Sequence, residues 1–237
     1  MSLGARLLNV FATPGEVFED VKTAPPSVAN WLLPALLFAL ISVLSAVVIF
    51  SQPAIQQKMR EEQAKGMDKL VQAGKLNRAD ADRALEMVGR FTLPVLIVTM
   101  PIVSFVRVFW WGLVLWLLGL WFLKVRFQFL KALEVAGLAT MIIVLGTVVA
   151  FLLTINLSRL FATPSLGLLV SDFDATRKSH LMLGAANVFS IWVVGVMSVG
   201  LARLAGVPFL RAAWIVFGYW VAQQLFFIFC GLGQFAL

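Results

Sequence analysis

The sequence predicts an all-α, polytopic membrane bundle of about five transmembrane helices, and three observations predict it. Of 237 residues, 61% are hydrophobic and only 13% charged, against roughly 25% charged and 45–50% apolar in soluble domains. Mean hydropathy is +0.93, too apolar for a small chain whose large surface would have to face water. Apolar runs of span length also recur, since about 20 helical residues at ~1.5 Å each cross about 30 Å of hydrocarbon. They fall at 31–50, 101–123, 135–155, 182–202 and 212–230. Backbone groups cannot stay unpaired in lipid, so each run is expected to be helical. None shows the alternation of a barrel strand.

Residues 1–30 read as an N-terminal amphipathic segment, ahead of a single membrane domain over 31–237. Thr13-Pro14-Gly15-Glu16 places an N-cap, a proline at the first helical position and a glutamate at the third, the pattern of a capping box. Val17, Phe18 and Val21 then share a face, with Glu19 and Asp20 turned away, until Ala24-Pro25-Pro26 ends the helix. Such a helix lies on the membrane surface or packs on the bundle ends. The first long apolar run is of span length rather than signal-peptide length, so it is expected to remain as the first helix.

The apolar stretch 91–123 is interrupted by Pro94, Pro101 and Arg107. Two spans would leave about 16 residues each with no turn between them, so one long helix is expected, its N-terminal part outside the core or kinked at proline. Arg107 at a bilayer centre would cost about 2.5–3.5 kcal/mol. With the span starting near Pro101, it lies about 9 Å inside one edge and snorkels.

Residues 51–90 carry eight Lys/Arg and six Asp/Glu. Met59, Met67, Leu70 and Val71 fit one helical face. Gly74 breaks the pattern, Asn77 with Asp80 restarts it, and Leu85 and Val88 continue an apolar side. A polar helical hairpin between spans 1 and 2 is expected. Lys124, Arg126 and Lys131 flank spans 2 and 3, and Arg203 and Arg211 bracket the last turn. Trp31, Trp121 and Trp220 fall near expected span ends, where an interfacial belt would put them. Phe-Ala-Thr-Pro occurs at 11–14 and 161–164, too short a match for a duplication.

The net charge of +7 sits mostly in loops, where it sets topology and meets anionic headgroups. No nucleic-acid motif is present. The single cysteine, Cys230, excludes an intrachain disulfide and a cysteine metal cluster, and its apolar run suggests a buried small hydrophobe. Neither phosphate-binding glycine pattern occurs, so nucleotide chemistry is not expected. His180 is the only histidine. Ser179 beside it, and Asp172 and Asp174 in the same loop, match no triad or metal-ligand spacing. No catalytic group, cofactor or metal is expected.

The candidates for a site are polar groups at membrane depth: Arg107, Glu134, Asn187, Gln223 and Gln224. Glu134 follows Lys131 by three residues, where the two can pair on one helix face. Thr140, Thr147, Thr154, Asn156, Ser190 and Ser198 are expected mainly to form helix–helix hydrogen bonds. Small residues at helical spacing mark packing seams: Ala35, Ala39 and Ser42; Gly146 and Ala150; Gly195 and Ser198.

The order of elements carries a resemblance. A short helix with Phe11, Pro14 and Phe18 leads through a Pro-rich break to Trp31-Leu-Leu-Pro34, a charged helical loop and four more spans. The fourth contains Asn187-Val-Phe-Ser-Ile-Trp192 and runs on through Gly200-Leu-Ala-Arg-Leu-Ala-Gly206-Val-Pro-Phe-Leu-Arg-Ala212. This resembles the Yip family, the Ypt/Rab-interacting proteins and their bacterial relatives. The resemblance implies five spans, a cytosolic N-terminus and a very short C-terminal tail on the other side, as the ending Cys230-Gly-Leu-Gly-Gln-Phe-Ala-Leu237 suggests. Eukaryotic members, linked with vesicle trafficking and small GTPases, carry a long cytosolic N-terminal region. Here the first span begins near residue 30, which implies a bacterial-type member in an inner membrane. The third span departs from the family pattern in having no proline after Gly137-Leu-Ala-Thr140. With the N-terminus inside, the inner segments hold 2, 3 and 2 Lys/Arg and the outer ones 8, 3 and 0. Counting alone favours the opposite orientation; the resemblance is followed.

The expected function is non-enzymatic: an adaptor or organiser that binds. The alternative is a small carrier or channel for ions, lipids or a small solute. Expected partners are the lipid bilayer and other membrane proteins or a second copy, with no nucleic acid.

Overall fold

The runs expected to span are built of helix, the fourth with a break at residues 186–187, in the computed structural model, which describes residues 1–159, 162–170, 173–174 and 177–232, the Glu62 side chain excepted. In chain order the helices are α1 (Leu3–Asn9), α2 (Pro14–Thr23), α3 (Ala29–Phe50), α4 (Pro53–Gln72), α5 (Arg78–Leu118), α6 (Phe129–Leu157), α7 (Lys178–Ala185), α8 (Val188–Ala205) and α9 (Phe209–Phe229). A π-helical turn, Gly119–Leu123, extends α5, and a 3-10 turn, Leu166–Leu169, precedes α7. The described residues form no strand, only an isolated antiparallel bridge between Ser165 and Asn187. Five helices are long and apolar enough to cross a membrane: α3, α5 with its π turn, α6, α8 and α9.

The bundle is arranged around α6. Residues Lys131 through Thr140 are all buried, so this part of the helix is covered on every side, as a central helix must be. It packs against α3, α5 and α8, and α9 leans on α8. The outer helices expose large apolar side chains instead: Leu36, Leu40 and Leu44 on α3, Val98, Ile102 and Val106 on α5, Phe209, Leu210 and Trp214 on α9. Exposure of this kind is what lipid as solvent requires.

The stretch 91–123 is one helix and its π turn, unbroken at Pro94 and Pro101. With 41 residues, α5 is about 60 Å long at roughly 1.5 Å per residue, twice what about 30 Å of hydrocarbon needs. Its charged first part pairs with α4 as the expected hairpin. Asn77 caps α5 by accepting a hydrogen bond from the Asp80 N–H at 2.8 Å, and Gly74 turns the chain at φ +69°. Arg78 bridges the arms to Asp68. At the hairpin's base, Lys58 donates to the Ser158 carbonyl at 2.6 Å, placing a cation at the negative end of α6.

Four details correct the sequence reading. A separate α7 covers residues 182–185 and the fourth span starts at Val188, because Asn187 caps it by accepting from the Phe189 N–H at 2.9 Å. Thr13 caps α2 through no side-chain bond, so the capping box does not form although the helix does. Thr140, Thr147, Asn156 and Ser198 bond carbonyls four residues back in their own helices, not other helices. That local bond satisfies a buried polar group without a neighbour's help. Cys230, just past the end of α9, is exposed.

The Ala35, Ala39 and Ser42 stripe is buried, and Gly146 lies against Phe189. Gly195, by contrast, has open space where a side chain would stand. Trp121 is exposed in the π turn, whereas Trp220 sits midway along α9.

Candidate functional site

The amphipathic helix α2 reaches the bundle rather than lying flat beside it. Val17, Phe18 and Val21 are fully buried in the main core with α6 and α8, worth about 1.5–3 kcal/mol apiece against exposure to water. A helix ending on apolar surroundings leaves carbonyls without donors. Lys131, at the start of α6, supplies them: its Nζ donates to the carbonyls of Val21 and Ala24 at 2.6 Å each. A buried ammonium needs a counter-charge. Glu134, one turn on, provides it with Oε1 3.2 Å from Nζ. Asn30, in the first turn of α3, donates to Glu134 Oε2 at 2.5 Å.

Lys131, Glu134 and Asn30 are 7%, 1% and 0% exposed, so three elements meet at one closed polar cluster. Its charges are matched, and it fastens α2 and α3 to the central helix. The sequence reading had the Lys131–Glu134 pair but missed Asn30. The signal was present as an amide one residue before a long apolar run.

The other candidates are not gathered there. Arg107 lies in α5 with its guanidinium 5.9 Å from the centre of the Phe38 ring, near the middle of α3. Asn187 is the cap of α8, at the opposite end of the bundle from Glu134. Gln223 and Gln224 lie in the second half of α9, and Gln223 Oε1 is buried with no hydrogen-bond partner. These five residues do not form a single site.

His180 accepts the backbone N–H of Asp174 at Nδ1, 3.0 Å away, and its ring faces Phe173 at 5.7 Å. It organises its loop. Asp172 and the first residue of the second Phe-Ala-Thr-Pro lie outside the described residues, as does the end of the chain from 233. Among the described residues, no group of three His, Cys, Asp or Glu is placed to hold a metal.

At the same end as the cluster, a groove of about 650 Å³ runs between α2 and the α8–α9 turn, bordered by Gly15, Glu19, Lys22, Val199, Arg203 and Phe209 among others. Glu19 lies 3.8 Å from Lys22 and 4.0 Å from Arg203.

No curated protein and no solved structure matches the chain. The family comparison, in contrast, covers nearly the whole architecture just described, from the end of α1 to the end of α9. The model of the Yip1 domain matches residues 8–231, and the chain belongs to that family of multispanning membrane proteins.

Proposed function

We propose that this chain works by binding rather than by catalysis, as an adaptor or organiser of other membrane proteins, with the α4–α5 hairpin as its contact surface. The observation that carries the reading is the length of α5, about twice what a bilayer requires. The excess builds a rod with α4 whose exposed side chains are mostly charged or polar. Surface ion pairs such as Arg83–Asp80 stabilise a fold little, but they steer and select a partner of complementary charge. The resemblance supports a bacterial inner membrane with the N-terminus in the cytosol.

Affinity purification from native membranes in mild detergent, with quantitative mass spectrometry, tests the reading. A near-stoichiometric partner that disappears in a Lys69→Glu, Lys75→Glu, Arg83→Glu variant is the expected result. A protein without any enriched partner overturns it.

A second reading, a small carrier or channel, is favoured by the unpartnered Gln223 Oε1 and by Arg107 over the Phe38 ring between α5 and α3. Flux in liposomes that is abolished by Gln223→Leu or Glu134→Gln, in protein still folded, would establish it instead.

A further inference from the structure

The groove between α2 and the α8–α9 turn has a charge pattern that the hairpin reading does not use. Two cations, Lys22 and Arg203, stand within 4.0 Å of one carboxylate, Glu19. All three side chains keep 40–53% of their surface exposed, so none is locked into the fold. The Arg203 guanidinium lies over the backbone of Gly15, where a Cβ would stand 3.2 Å from Nη2. Val199, Val207 and Phe209 also line the groove. Phe209 also begins the exposed apolar row Phe209, Leu210 and Trp214 on α9, so the groove adjoins exposed apolar surface. Its volume, about 650 Å³, lies in the usual range of roughly 300–1,000 Å³ for small-molecule sites.

We infer that this groove binds the headgroup of an aminophospholipid. Arg203 and Lys22 hold the phosphodiester and Glu19 holds the ammonium. One acyl chain follows Phe209 and Leu210 along α9. A phosphate meets a guanidinium and an ammonium through charge-assisted hydrogen bonds, the strong kind. A purely anionic headgroup would satisfy the two cations but face Glu19 as a like charge. A choline headgroup carries its charge without an N–H donor for that carboxylate. The groove therefore selects a primary amine beside a phosphate, a pattern that a zwitterionic aminolipid presents. Lys131 keeps the wall in place by holding the end of α2.

The test uses the purified full-length chain in detergent, with native mass spectrometry after addition of phosphatidylethanolamine, phosphatidylglycerol or phosphatidylcholine of matched acyl chains. Retention of phosphatidylethanolamine above the other two is expected. The Arg203→Gln, Lys22→Gln variant should retain it about a hundredfold less, the loss of two charge-assisted contacts. Glu19→Gln should reverse the preference toward phosphatidylglycerol. Arg211→Gln, exposed in the first turn of α9 and outside the groove, should change nothing, and elution and helicity report folding in each variant. Equal retention of the three lipids overturns the inference, as does undiminished binding in the folded double variant. Competition by glycerophosphoethanolamine or inorganic phosphate as effective as the lipid also overturns it, since the ligand would then be a soluble phosphate compound.

Discussion

Gly137 of α6 lies directly against the backbone of Trp31 in α3. A Cβ built on Gly137 would stand 2.8 Å from the Asn30 carbonyl oxygen and closer still to the Trp31 Cα. Backbone cannot step aside as a flexible side-chain tip can, so this close approach depends on glycine. It also brings Asn30 within reach of Glu134, which is on the same helix one turn earlier.

Gly137→Ala is therefore expected to destabilise by about 1–3 kcal/mol, the usual range for overpacking a filled core. It should also loosen the Asn30–Glu134 bond. Gly195→Ala, with open space around the new methyl, should leave stability unchanged or slightly raised. Thermal unfolding of both variants in one detergent checks the contrast.

Lys131→Met leaves Glu134 buried without its counter-charge and the Val21 and Ala24 carbonyls without a donor. A loss of about 3–5 kcal/mol is expected for breaking a buried pair from one side. The double variant Lys131→Met, Glu134→Leu removes both charges and should recover part of it. Hydrogen exchange resolves where the damage falls: amides of α2 should open first in Lys131→Met.

The Asp20 carboxyl accepts hydrogen bonds from the Met1 amine and from Arg6 Nε, each at 2.8 Å. The bond to the amine, joined by Arg6 and opposed by partial burial, holds its pKa below the ordinary value of 3.8. The folded value lies below the unfolded one, so the stabilising contribution is complete above the unfolded value and is lost as pH falls through the folded one. Hydrogen exchange of α1 and α2 should show protection that is flat at neutral pH and falls only in acid. Asp20→Asn should lower protection at neutral pH and remove that acid dependence.

Asn77→Ala removes the cap of α5 at the hairpin's far end. The expected cost is about 1 kcal/mol, confined to the first turn of α5. Faster exchange near residues 78–81 with an unchanged melting temperature is the outcome to look for. A global shift would mean that the hairpin folds as one unit with the bundle.

The polar hairpin was legible because its signals are local. Gly74 supplies a positive φ, and Asn77 and Asp80 sit at capping distance. The start of the fourth span was misplaced because 182–202 is uncharged and mostly apolar, and hydropathy outweighed Asn187, whose side chain caps the helix instead of continuing it. Among the site candidates, Glu134 and Lys131 were readable as an (i, i+3) pair. Asn30, 104 residues away from Glu134, belongs to the same cluster by virtue of helix neighbours that no local pattern encodes.

Sequence alone determined the solvent of this protein and the segments that meet it, since transfer into lipid is a sum over each segment's own residues. It also determined the family to which that order of segments belongs. Only the tertiary structure decided that α2 is buried on the bundle end, that one lysine closes its terminus, and that Glu19, Lys22 and Arg203 share a groove. Those outcomes depend on which helices become neighbours. Neighbours are chosen by close packing, as where Gly137 admits Trp31, and by the matching of polar groups that lipid will not solvate.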